Sequence, residues 1–238
     1  MGYFSFAYRL TLTPLTRIST VITRVFFPTF SAIQTDDALL RRSYLRTVQM
    51  VGLAYWPTVV GILVFAPEIV ALAGEDVSPA MEPVRILAVA TLIKAVGMAV
   101  GSVFLAKGRA SWALYWSLFS LAFLVPLLYW ATEYGVSGMA GVIAATSVLF
   151  LVLSQHLANR LIGLTFGEYL RVLVRPALVS GVTFAVMWHL HPMMPPDPAS
   201  ALLRGGIVGI LVVLVALRLF AGSACRALWR NLIGEPTS

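Results

Sequence analysis

Apolar positions along the chain gather into long runs separated by short polar links. The runs fall near residues 5–30, 47–66, 84–105, 112–132, 138–158, 174–190 and 203–221. Each is long enough for a helix of about 20 residues, the length that crosses a hydrocarbon layer about 30 Å thick. They are about twice as long as a barrel strand needs, so a β-barrel is excluded. The pattern predicts an all-α fold, a polytopic transmembrane helix bundle of about seven spans. Residues 1–222 form the helical lobe, and 223–238 are expected as a cytoplasmic tail.

The links carry their own signals. Residues 34–46, QTDDALLRRSYLR, read as a short helix at the membrane surface. Thr35, Asp36 and Asp37 can cap its start, and Asp37 and Arg41 form an i,i+4 pair. Leu40, Tyr44 and Leu45 would face the headgroup boundary. An ordinary basic loop is the plainer reading of the same residues. Pro14, Pro57, Pro126 and Pro176 fall within or at the ends of spans, where each removes a backbone donor and can kink its helix. Gly97 with Gly101, and Gly205 with Gly209, have the spacing that lets membrane helices approach closely.

Composition sharpens the picture. Of the 238 residues, 59% are apolar and 11% charged, with a mean hydropathy of +0.88. Soluble domains carry about 25% charged residues, so a soluble globular or disordered chain is excluded. The net charge of +7 would suggest nucleic acid in a soluble protein, but here it follows from where the arginines sit. One alternate set of links holds Arg41, Arg42, Arg46, Lys107, Arg109, Arg160, Arg171, Arg218, Arg226 and Arg230. The other holds Glu68, Glu75, Asp76, Glu82, Glu133 and Asp197, with only Arg85 and Arg204. The positive-inside rule then puts the C-terminus in the cytoplasm and the N-terminus outside. No cleavable signal is evident, and an outward start without one suggests that something once preceded Met1. The single Cys225 cannot form an internal disulfide.

Charges at membrane depth are the candidate functional groups, because a buried cation is costly unless it faces a cavity or a partner. Arg9, Arg17 and Arg24 share the first span, and at 100° per residue their directions fall within about 80°. Lys94 lies near the middle of the third span. No Asp or Glu lies at comparable depth. A basic cavity without internal acids suits a phosphate or diphosphate. Arg17 and Lys94 are the deepest; snorkelling to the two interfaces is the alternative for Arg9 and Arg24.

Catalytic signatures are lacking. The chain has no HExxH, no CxxC and no phosphate-binding P-loop. His156, His189 and His191 do not make a metal set with nearby acids or thiols, and no nucleophile elbow is present. The expectation is a non-enzyme with no metal, no cofactor and no nucleic-acid partner.

Gly2–Arg46 carries Tyr3, Ala7–Leu10 (AYRL), Pro14, Arg24, Phe27–Ser31 (FPTFS) and then Asp36–Arg46. It resembles the bacterial polysaccharide and lipid-linked oligosaccharide flippases of the multidrug/oligosaccharidyl-lipid/polysaccharide exporter superfamily. Ala71–Leu92, Phe104–Trp112 and Tyr134–Ala145 resemble further segments of that family in the same order, so the likeness covers most of residues 2–160. The last two spans match in hydropathy alone. The family's usual tryptophan after Gly74 is absent, with Asp76 and Val77 near its place. The family's proteins are about twice this long, two similar helical lobes around a central cavity. The resemblance is to the second lobe, which implies either a truncated reading frame or a half-transporter that pairs with a second lobe or a second copy.

The function implied by the resemblance is to move undecaprenyl-diphosphate-linked oligosaccharide across the bacterial inner membrane by alternating access, for lipopolysaccharide or exopolysaccharide synthesis. The partners implied are that lipid-linked oligosaccharide and the membrane lipids. Arg17 and Lys94 would hold the diphosphate, with Arg24 at the cytoplasmic entrance and Arg9 as a further cavity residue. The alternatives are a non-transporting remnant or scaffold and a drug or cation exporter of the same superfamily. A cation exporter needs buried acids that this chain lacks. A glycan polymerase or ligase would need large outer loops, and the links here are short.

Overall fold

The computed structural model describes the backbone of residues 2–74 and 79–233, and their side chains except at 2, 19–29 and 220–233. Nine α-helices follow one another among the described residues: α1 Gly2–Ala32, α2 Asp37–Val64, α3 Ala66–Ala73, α4 Met81–Gly97, α5 Val100–Ala106, α6 Ala110–Ala131, α7 Gly135–Ile162, α8 Phe166–Leu190 and α9 Pro198–Ile233. No strand occurs among them. The all-α membrane bundle expected from the sequence is the observed architecture.

Five helical stretches are long and apolar enough to cross a membrane: Asp37–Val64, Met81–Ala106, Ala110–Ile162, Phe166–Met193 and Pro198–Leu219. The third runs for 53 residues, which as one straight helix would be about 80 Å long. It does not run straight. A single 3-10 turn at Thr132–Tyr134 and Gly135 at φ 70° fold α7 back along α6. Phe150 of α7 then lies against three rings of α6, with centroids 5.8 Å from Trp116, 6.2 Å from Phe119 and 5.9 Å from Phe123. The stretch is therefore two antiparallel spans. With α1, 31 residues long but carrying three arginines, the seven predicted runs each correspond to a long helical segment. α9 continues to Ile233, beyond the position where the seventh run ends.

α2 and α4 lie at the centre. In their most apolar windows 61% and 56% of residues are buried, against 22–28% in the later spans, whose remaining apolar surface faces outward. Two glycines permit the closest helix approaches. A Cβ on Gly52 would lie 2.8 Å from Cγ of Pro176, so α2 and α8 touch there only because residue 52 has no side chain. A Cβ on Gly205 would lie 2.1 Å from the Phe65 ring. Of the paired glycines marked in the sequence, Gly205 and Gly209 both pack, the latter against Met187. Gly97 meets Leu151, whereas Gly101 faces open space.

Three expectations are corrected. Residues 37–46 are not a separate surface helix but the first turns of α2, with Asp36 as N-cap accepting from the Leu39 amide at 2.9 Å. Leu40 and Tyr44 are fully buried, not at the headgroup boundary, because Tyr44 finds a hydrogen-bond acceptor inside the bundle. The local Asp37–Arg41 pair gives way to longer-range partners. Asp37 pairs with Lys107, and Arg41 with Glu168. The third span, Met81–Ala106, is present as expected and carries a short interruption, with α4 ending at Gly97 and α5 starting at Val100.

These ion pairs tie the links together at the end of the bundle that carries most of the arginines, here called the basic end. Lys107 also donates to the Gln34 carbonyl at 2.9 Å, fastening the α5–α6 link to the α1–α2 turn. Arg41 also donates to the Gly163 carbonyl at 3.2 Å, fastening α2 to the α7–α8 turn. Glu168 closes a capping box with Thr165 at the start of α8, satisfying two otherwise unpaired amides. At the opposite end His191 contacts Glu68 at 2.8 Å, and Ser137 donates to Glu82 at 2.8 Å.

Candidate functional site: a cationic face on the first helix

α1 has two sharply different sides. Ala7, Thr11 and Leu15 repeat every four residues and are buried, which puts them on one stripe. Ser5, Arg9, Thr13, Thr16 and Arg17 are exposed on the other. The buried stripe packs on α2 and α4: Leu15 joins Val51, Tyr55, Val59, Ala88 and Ala95 in one apolar cluster. Ala7 joins Leu87, Ala90, Ala140 and Ile143 in another.

Hydrogen bonds fix the position of α1. Pro14 has no amide hydrogen and disturbs the carbonyl row one turn back. Tyr55 of α2, fully buried, donates its hydroxyl to the Thr11 carbonyl at 2.9 Å. The next residue, Trp56, donates its indole N–H to the Leu92 carbonyl of α4 at 3.0 Å. Neighbouring side chains of α2 therefore hold α1 and α4 at matched heights, as expected where a buried hydroxyl or indole must find an acceptor. The Thr11 hydroxyl turns back to the Ala7 carbonyl at 2.8 Å.

The exposed side of α1 borders a cavity of about 700 Å³ lined by Ser5, Phe6, Arg9, Leu10, Thr13 and Pro14. Arg9 lines it directly. Arg17 is exposed two turns further along the same side. Arg24 lies on α1, with its side chain outside the described residues. Lys94 lies on α4 near its break, half-buried, and does not line this cavity. No ion pair or hydrogen bond joins Arg9, Arg17 or Lys94 to another described residue. The structure thus gathers Arg9 and Arg17 on one open face and leaves Lys94 on a neighbouring helix. Glu75 and Asp76, noted in the sequence, lie outside the described residues.

The bundle also contains polar contacts that the sequence reading missed. Tyr44 of α2 donates to Gln155 Oε1 of α7 at 2.6 Å, and Gln155 Nε2 donates to Asn159 Oδ1 at 2.8 Å. Tyr169 of α8 donates to the Val96 carbonyl at 3.3 Å. Tyr44, Gln155 and Tyr169 are all fully buried. A visible signal existed: Gln155 and Asn159, four apart towards the end of an apolar run, share one helix face. Trp56 and Tyr169 both donate to carbonyls of α4 just before the α4–α5 interruption, and side-chain donors of this kind are what lets membrane helices tolerate broken backbone.

Residues 1–76 match the family described as polysaccharide biosynthesis protein. The chain is related to bacterial polysaccharide biosynthesis proteins. It is 28% identical over 182 residues to the teichuronic acid biosynthesis protein TuaB of Bacillus subtilis (strain 168), covering 76% of this chain and 38% of that protein. It is 26% identical over 197 residues to the lipopolysaccharide biosynthesis protein WzxC of Escherichia coli (strain K12), covering 79% and 39%. An uncharacterized membrane protein in the cps region of Klebsiella pneumoniae is 26% identical over 142 residues, covering 59% and 29%. The chain spans under two-fifths of the length of these relatives. Its apolar helices and these relatives make it a multi-pass membrane protein. The family match contains all of α1 and α2, and so the cationic face and the tyrosine–tryptophan pair that holds it.

Proposed function

We propose that this chain is one helical lobe of a transporter that moves a lipid-linked oligosaccharide across the bacterial inner membrane for lipopolysaccharide or exopolysaccharide synthesis. The observation that carries the reading is the open side of α1, where Arg9 lines a cavity and Arg17 is exposed two turns further along, neither paired with a carboxylate among the described residues. A diphosphate brought to this face meets guanidinium groups that can donate in pairs. Charge-assisted hydrogen bonds then take over from water, which is needed to draw a dianion through hydrocarbon. The hydroxyls of Ser5, Thr13 and Thr16 lie on the same side and suit the glycan. Lys94 is a third cation, on the neighbouring α4 and outside the lining of this cavity, and Arg24 lies further along α1 towards the basic end. The polyprenyl tail stays in lipid beside the opening.

Alternating access requires an opposing surface against which this lobe rocks. A second lobe or a second copy of the chain supplies it. The positive-inside rule puts the basic end and the C-terminus in the cytoplasm.

Complementation tests the reading. The chain is expressed alone, and fused behind an upstream lobe of a close relative, in a strain that makes the matching glycan but lacks its transporter. Surface polysaccharide is expected with the fusion. In the exporting form, Arg17→Gln and Lys94→Gln are expected to lower export about tenfold, the effect of losing one charge-assisted contact of about 1.5–3 kcal/mol, with membrane levels unchanged. Full export by both variants would remove the diphosphate assignment. No export by either form, with protein present in the membrane, would favour a scaffold.

A further inference from the structure

On the outside of the bundle, away from α1, two adjoining cavities lie along α7. One, about 450 Å³, opens between α6 and α7 and is walled by Trp112, Tyr115, Trp116, Phe119 and Leu153. The other, about 480 Å³, continues towards the basic end and is lined by Asn159, Arg160, Leu164 and Phe166. Leu153 and His156 line both, so the two form one groove, apolar and aromatic at one end and polar at the other.

The polar end has donors to spare. Arg160 is exposed and has no partner among the described residues. Asn159, a lining residue, is only 8% exposed; its Oδ1 accepts from Gln155, and its side-chain amide nitrogen has no acceptor among the described residues. Arg109 stands beside the aromatic wall, its guanidinium 5.2 Å from the Trp112 ring centroid. Among the described residues, no carboxylate lines either chamber. From Arg160 to Leu153 is about 10 Å along the helix, the step from headgroup to the upper part of an acyl chain. Indole and phenol rings beside arginine mark the same boundary.

We infer that the α6–α7 groove binds one anionic glycerophospholipid, with its phosphate on Arg160, His156 and the Asn159 amide, and an acyl chain along the Trp112–Trp116–Phe119 wall. A net negative headgroup is favoured over a zwitterionic one because the groove offers cations and donors and no carboxylate for an ammonium. A protein helix would find charge at one end only and a wall already filled by α6 rings. The site is separate from the cationic face of α1, and its test does not depend on transport.

The experiment is native mass spectrometry of the full chain, released from detergent containing equal phosphatidylglycerol and phosphatidylcholine. Wild type is expected to retain phosphatidylglycerol preferentially. Arg160→Gln should lower that retention about fivefold and leave phosphatidylcholine unchanged. Leu153→Trp, at an exposed position, should fill the groove and displace the lipid, while Arg204→Gln at the opposite end should retain it. A phosphatidylglycerol probe with a photoreactive acyl chain should label peptides containing 112–119 or 153–157. Equal retention of the two lipids, an Arg160→Gln variant matching wild type, or labelling elsewhere would overturn the proposal. Displacement of phosphatidylglycerol from this groove by a polyprenyl diphosphate, with the same dependence on Arg160, would also overturn it, assigning the groove to substrate. Circular dichroism of each variant confirms that helical content is retained.

Discussion

The Tyr169 hydroxyl of α8 donates to the Val96 carbonyl of α4 at 3.3 Å, one residue before α4 ends at Gly97. A continuous helix would use that carbonyl for the amide four residues on. The interruption at Met98–Ala99 changes the local backbone, and a fully buried tyrosine from another helix reaches its edge. Tyr169→Phe keeps the ring and removes the donor. The expected loss is about 1 kcal/mol, since hydrogen bonds between membrane helices are worth less than their gas-phase strength suggests. Thermal unfolding in detergent measures it. An unchanged midpoint would mean that the contact contributes nothing to holding the break.

The close approach of α2 and α8 gives a steric prediction. Gly52→Ala places a Cβ 2.8 Å from Pro176 and should lower the yield of monodisperse protein on size-exclusion chromatography. Pro176→Ala in the same chain removes the Cγ and should restore part of it. Gly101→Ala, facing open space, should behave as wild type or better, because alanine is the stronger helix former. Equal behaviour of the two glycine variants would refute the packing assignment.

At the basic end, Glu168 and Arg41 are partners but not equals. Arg41 is held by Glu168 and the Gly163 carbonyl. Glu168 accepts from Arg41 and also closes the capping box with Thr165. Glu168→Ala should therefore lower the thermal midpoint more than Arg41→Ala, and Thr165→Ala should reproduce part of the Glu168 effect. High salt should narrow the effect of Arg41→Ala in part, because a half-exposed pair is partly screened. A larger effect from Arg41→Ala than from Glu168→Ala would contradict the capping role.

The two sides of α1 predict a labelling pattern. In a Cys225→Ser background, Arg9→Cys and Thr13→Cys line the cavity and should react with a membrane-impermeant thiol reagent. Thr11→Cys and Leu15→Cys, on the buried stripe, should be protected. Protection at all four positions would mean that lipid or another helix covers the face, and the diphosphate site would have to lie elsewhere.

The sequence by itself determined the membrane bundle, its long helical runs and the placing of Arg9 and Arg17 on one side of the first helix. These follow from mean hydropathy, run length and the 100° step of a helix, all of which are local. It also put the helix start among Thr35, Asp36 and Asp37, because a capping side chain and its amide partner are close in sequence, and the structure selects Asp36. Tertiary structure alone decided which side of each helix is covered and which partners the polar groups take. Asp37 and Arg41 are spaced to pair with each other, yet each finds a partner on a distant link, since a salt bridge goes to whichever opposite charge the fold brings nearest. Tyr44 looks like a surface residue until Gln155, 111 residues away, offers an acceptor. The break after Gly97 has no proline to announce it; the donors that reach the carbonyls just before it come from α2 and α8, far away in the sequence. Hydropathy likewise assigns the same character to both sides of α6 and α7; only their antiparallel packing creates a groove with an aromatic wall and an arginine at its end.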